Sequence, residues 1–259
     1  MELSKAAIGF VVGILVGLTG MGGGAVMTPL LILLGWARPA VAVGTDLVWG
    51  TLTKLVGASV HYRQKTVDLS LVKWLAMGSV PGALLGILLL SSLRRLGVDA
   101  IDRFVGRTLG FTLICVACVL LYRSFRKDPG RLSSRSASPE DFSGDLWLTP
   151  AMAAVVGFLV SLTSVGSGSL IVPCLLILYP AIPLKRIVGS DIFHGLILGC
   201  VAAFGHLELG NINRSLLLGL WAGSIPGVWI GSKLTTLFPD RLLRPALAVT
   251  LLLLGFKLI

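Results

Sequence analysis

Long apolar runs separated by short polar segments recur along the whole chain. Eight of them fall near residues 6–34, 41–60, 71–93, 104–122, 149–180, 187–205, 215–237 and 242–258. A helix needs about 20 apolar residues to cross a hydrocarbon core of roughly 30 Å, so each run is long enough, or nearly so, to span a bilayer. A chain of 259 residues cannot bury eight such helices from water. The pattern therefore predicts an all-α polytopic membrane protein in a single transmembrane domain. Composition agrees: 55% of residues are hydrophobic and 13% charged, with a mean hydropathy of +0.92.

A net charge of +10 is compatible with nucleic-acid binding, but the 22 Lys and Arg lie mostly in the short segments between apolar runs, where they set topology. No nucleic-acid partner is expected. The cluster from Arg123 to Arg135 leads into and occupies a polar linker, residues 124–147, expected to be solvated on the cytoplasmic side. The apolar run after MELSK is longer than a signal-peptide core and no A-x-A site follows, so this segment is expected to be retained. Cys115, Cys118, Cys174 and Cys200 all fall within apolar runs and are read as small packing residues, not as a redox or metal motif.

Sliding the sequence on itself reveals two halves, residues 6–123 and 148–259. Between Val43 and Gly86 an offset of 145 pairs forty-four positions, of which fifteen are identical. They include Val43-Gly44 with Val188-Gly189, Asp46 with Asp191, His61 with His206, and GSVPG at 78–82 with GSIPG at 223–227. Upstream, an offset of 144 pairs Leu18-Thr19 with Leu162-Thr163, Gly22 with Gly166, Gly24 with Gly168 and Pro29 with Pro173. Duplicated halves of about four membrane segments each are a common plan of secondary transporters, whose sites lie between the repeats near the bilayer midplane.

The first apolar run of each half is interrupted at matching places: GLTGMGGGAVMTPLL at 17–31 and SLTSVGSGSLIVPCL at 161–175. Consecutive glycines cost helix stability, and Pro29 and Pro173 each remove an amide donor. Each segment is therefore expected to be a broken span or a re-entrant hairpin. Where a half-helix restarts, its free N–H groups and positive dipole end form an anion site. Thr19, Gly22, Gly23, Gly24, Ala25, Thr163, Gly166, Ser167, Gly168 and Ser169 are the candidate substrate-binding residues there, with Ser164 as a further hydroxyl. The alternative is that the glycines only allow close helix packing. Charge placement favours the re-entrant, inverted arrangement, which gathers thirteen Lys and Arg on the linker side against eight opposite.

Asp46 and Lys54 lie in a run otherwise fit to span the membrane, where a charge is costly unless paired or hydrated. Lys54 is a candidate substrate ligand, with Thr45 and Ser190 beside the two aspartates. Asp46, Asp191 and His194 are candidates for a coupling or structural role, a protonatable group there linking transport to a proton or other ion. Helix capping is the alternative for the aspartates, and snorkelling for Lys54. His61 and His206 are read as interfacial. The halves diverge here: Lys54 is matched by Gly199, and Trp49 by His194.

With GMGGG-x4-P, the VGTD and VGSD helices, the HYRQKTVD turn and the twin GS[VI]PG-x3-G motifs, the sequence resembles the sulfite exporter TauE/SafE family, also called the 4-toluene sulfonate uptake permeases. That resemblance implies a multi-pass transporter of small anions in the cell (inner) membrane, with sulfite or organosulfonates as the substrate class. The expected function is thus a secondary permease or exporter, not an enzyme, with no cofactor and no metal. No G-x4-G-K-[ST] motif supplies ATP binding. An anion channel is one alternative; an intramembrane serine hydrolase, built from Ser167 with His194 or His206, is another.

Overall fold

The computed structural model describes residues 2–19, 23–125, 147–234 and 240–259. Among them are ten α-helices: α1 (Glu2–Thr19), α2 (Gly24–Leu33), α3 (Pro39–Arg63), α4 (Leu69–Leu93), α5 (Val98–Phe125), α6 (Leu148–Thr163), α7 (Ser167–Leu178), α8 (Leu184–Glu208), α9 (Arg214–Leu234) and α10 (Asp240–Leu258). Six of the eight apolar runs are single helices. The other two, 6–34 and 149–180, are each split in two. Three helices, Leu69–Leu93, Val98–Tyr122 and Leu184–Glu208, are long and apolar enough to cross a membrane by themselves. Residues 126–146 of the linker lie outside the described residues.

Local chemistry fixes the helix ends. Pro39 opens α3, where a missing N–H costs nothing. The Asp68 carboxylate caps α4 by accepting from the amides of Ser70 and Leu71, and the Asn213 side chain accepts from Leu216 at the start of α9. Helix α6 stops where Ser164 turns left-handed at φ 61°, and Gly166 follows at φ 128°, a value that favours glycine.

The packing is crossed between the halves. Helix α1 lies on α9 and α6 lies on α4; α3 pairs with α8, and α5 with α10. Glycines allow the backbones to touch, and the same contact recurs at matched positions. A Cβ at Gly78, Gly82 or Gly86 would meet the backbone of Pro150, Ala154 or Phe158, and at Gly223, Gly227 or Gly231 that of Ala6, Phe10 or Ile14. These registers make α4 parallel to α6 and α9 parallel to α1. Gly44 abuts Asn211 while Gly189 abuts Thr66, so α3 and α8 run antiparallel.

Helices α6 and α7 form a hairpin whose open ends are joined by the hydroxyls of Thr149 and Tyr179, 2.5 Å apart. At the matching end of α1, Lys5 donates to Ser215 at the start of α9 (3.0 Å), and α2 returns to α3 on that same side. The outer surface is apolar, with Leu85, Leu88, Phe111, Ile225, Trp229 and Leu253 all exposed, as lipid contact requires. Cys118 and Cys200 are exposed too, so they do not act as interior packers.

Candidate functional site

The start of α2 meets the tip of the α6–α7 hairpin. A Cβ on Gly24 would overlap the carbonyl of Ser164, so the start of α2 is in backbone contact with the break between α6 and α7. Around this junction lies a cavity of about 20 Å³, room for roughly one water. Gly23, Gly24 and Ala25 contribute from one tip, and Ser164, Gly166, Ser167 and Ser169 from the other. Helix α3 adds Asp46, Leu47, Gly50, Thr51 and Lys54; Val160 and Gly199 complete the wall. Apart from Val26, whose amide bonds the Gly23 carbonyl at 3.0 Å, the first-turn amides of α2 and α7 have no acceptor inside their own helices, so both N-termini present donors and partial positive charge here.

Lys54 is the cation of the site. Its Nζ donates to Ser167 Oγ at 2.5 Å, and its stem lies along Gly195 of α8, where any side chain would crowd the ammonium. It is within electrostatic reach of both Asp46 and Asp191. Snorkelling is thereby excluded: the amine turns inward to the hairpin tip.

Asp46 and Asp191 are also not caps. Helices α3 and α8 begin seven residues before them, at Pro39 and Leu184, and both side chains are buried in mid-helix. Asp46 Oδ2 accepts from Thr28 Oγ1 at 2.7 Å, and the Ser164 hydroxyl lies by the same carboxyl. Oδ1 of Asp46 and Oδ1 of Asp191 take no hydrogen bond although fully buried.

Several residues expected at the site stand elsewhere. Thr45 accepts from the Asn213 amide (3.0 Å) and Ser190 from the Asp68 amide (2.8 Å), so each pins an interhelical loop to the middle of the bundle and neither reaches the cavity. Thr163 bonds Leu159 and Val165 and shapes the break without lining the cavity, which Gly168 does not line either. His194 bonds Ser79 at 2.6 Å, and His206, buried and not interfacial, bonds the Ser161 carbonyl at 2.8 Å. Neither histidine pairs with Ser167, which leaves the hydrolase arrangement without its expected base. The side chain of Thr19, together with Gly22, lies outside the described residues. Leu47, Gly50, Thr51, Val160 and Gly199 line the cavity unforeseen; of these only Gly199 carried a signal in the sequence, its mismatch with Lys54.

A family model described as Sulfite exporter TauE/SafE matches residues 6–258. The chain is 40% identical to the probable membrane transporter protein YjnA of Bacillus subtilis over 259 residues, which is all of both chains. It is 26% identical to the probable membrane transporter protein YunE of the same organism, covering 97% of this chain and 95% of that one. A probable membrane transporter protein of Haemophilus influenzae is 24% identical at the same coverage. No solved structure matches the chain.

Proposed function

The chain belongs to the sulfite exporter TauE/SafE family of membrane transporters, and from that premise we propose that it carries a small anion, a sulfur-containing oxyanion or organosulfonate, through the cavity between the hairpin tips. One observation carries the reading: two helix N-termini and the Lys54 ammonium converge on one buried cavity. Each N-terminus is equivalent to about half a positive charge, and low-dielectric surroundings strengthen its hold on an anion.

In the bilayer the hairpins α1–α2 and α6–α7 are re-entrant from opposite faces, and the remaining helices cross, three in each half. The antiparallel run of α3 against α8 supports inverted repeats related by an axis in the membrane plane. The thirteen Lys and Arg on the face that holds the linker support a cytoplasmic location for that face in a multi-pass cell-membrane protein. A cavity sized for one water admits an oxyanion only when the tips part, as alternating access requires. Asp191 and His194, buried on α8 beside the site, are the groups through which a proton or other ion would be coupled.

The test is transport in proteoliposomes. Labelled sulfite uptake should saturate with concentration and fall to background in Lys54→Met, with reconstituted folded protein unchanged. Full activity in that variant removes Lys54 from the mechanism, and unitary currents in place of saturable flux would favour a channel.

A further inference from the structure

We propose that the transported anion is a compact monoanion that still carries a proton, and that Asp46 selects for it; the inference rests on the anion-transport reading above and narrows it. A buried carboxylate is an unexpected wall for an anion cavity. Asp46 is fully buried, its Oδ2 is held by Thr28, its Oδ1 takes no hydrogen bond, and the residue lines the cavity with Lys54. An ionised carboxylate can only accept hydrogen bonds. A fully deprotonated oxyanion also offers only acceptors, so against Asp46 it would leave Oδ1 and the anion oxygen facing it unpaired and set charge against like charge. An oxyanion with one O–H satisfies both sides: the hydroxyl donates to Asp46 Oδ1, and the bare oxygens take Lys54 and the first-turn amides of α2 and α7.

Charge counting points the same way. The ionisable groups facing the site are Asp46 and Lys54 on α3 and Asp191 and His194 on α8; the lining residues of α2, α6 and α7 include none. Of these only Asp46 and Lys54 line the cavity and their charges cancel, so the two helix ends, about half a charge each, leave about one positive charge in all. Such a balance suits one negative charge better than two. The apolar lining is Ala25, Leu47 and Val160, with no aromatic surface for an arene sulfonate. Hydrogen sulfite has the required form, as do bicarbonate and dihydrogen phosphate. Sulfate, sulfonates and chlorate lack the proton.

Chlorate is the discriminating probe, being a pyramidal monoanion with three oxygens like sulfite and no proton. Binding of hydrogen sulfite, dihydrogen phosphate, chlorate and sulfate to the purified full chain, followed by calorimetry at one near-neutral pH with each affinity referred to the concentration of the named ionic form, should rank hydrogen sulfite about tenfold or more above chlorate and sulfate. In Asp46→Asn the amide keeps a carbonyl for Thr28 and presents an N–H where Oδ1 stood. Chlorate affinity should rise about tenfold and hydrogen sulfite affinity fall by a similar factor. Chlorate binding as tight as hydrogen sulfite in the unmodified protein overturns the proposal, and that comparison needs no variant to fold. If none of the four anions binds, it is the anion-transport reading itself that fails.

Discussion

Gly23 and Ser167 occupy matching places at the two hairpin tips, 144 positions apart, yet they meet different neighbours. A Cβ at Gly23 would run into the ring of Trp49, which is fully buried and donates from Nε1 to Ser224 at 2.7 Å. In the other half the ring is that of His194, bonded to Ser79, the match of Ser224. The hydrogen bond is kept with a smaller ring, and position 167 carries a side chain, Ser167, that receives Lys54. One tip therefore offers bare backbone and the other a hydroxyl tied to an ammonium. A smaller ring is thus paired with a larger residue at the tip, and together with Lys54 against Gly199 this makes the two halves unlike.

The sharpest way to break this comparison is to force the halves alike. Gly23→Ser should destabilise the protein by about 3 kcal/mol, because a side chain and the Trp49 ring cannot share the space. Adding Trp49→His should recover most of that loss by reproducing the arrangement around Ser167. Thermal unfolding of both single variants and the double variant measures the coupling. Additive effects would mean that the two rings do not set what the tips can carry.

A second difference lies beneath the aspartates. Thr28 gives Asp46 its hydrogen bond, whereas the matching position is Val172. Thr28→Val should cost about 2 kcal/mol by leaving a buried carboxylate oxygen unpaired, again read by thermal unfolding. It should also weaken anion binding, since the hydroxyl fixes which way the carboxyl faces.

The glycines of α3 and α8 differ more gently. Gly195 has the Lys54 amine against it, while its match Gly50 has nothing within 4 Å and lines the cavity. The cavity thus sits where a lysine at 199 would have placed its amine, had the second half kept one. Gly50→Ala should leave the fold intact or stabilise it by up to about 1 kcal/mol, as expected for replacing glycine inside a helix. Anion affinity should nonetheless drop by about tenfold as the methyl takes up cavity space. Unchanged affinity would place the anion elsewhere.

How much of this was legible in the sequence varies with the range of the interaction. Helix positions followed from apolar length, and α4 begins and ends within two residues of the run at 71–93. The breaks at Gly23 and Gly166 were visible because glycines in series have a local cost. The hairpin was not visible in this way: Thr149 meets Tyr179 across 30 residues, and nothing in either segment announces it. Thr45 and Ser190 were recognised as polar residues in apolar runs, but what they bond, the amides of Asn213 and Asp68, is set by tertiary packing. A lone glycine such as Gly50 reads the same whether it faces a helix or a cavity. The loss of lysine at its diagonal partner, Gly199, was legible as a divergence of the halves but not as a cavity wall.

The smallest contrast is between the two loops those hydroxyls hold. Asp68 caps α4 and also pairs with Arg186 at 3.1 Å, whereas Asn213 caps α9 through a neutral amide. The pair is partly exposed, at 12% for the aspartate and 39% for the arginine, so solvent screens much of it. Asp68→Asn keeps an equally good cap and removes only the ion pair, making this loop resemble the other. Stability should fall by about 0.5 kcal/mol or less, and by less still at high salt. If both hairpins must part in turn for transport, the larger consequence is kinetic: the face closed by Asp68 and Arg186 should open more readily. Flux measured from the two sides of oriented vesicles should then shift in ratio while total binding is unchanged. A ratio that stays fixed would show that the ion pair trims the loop's stability without holding that face shut.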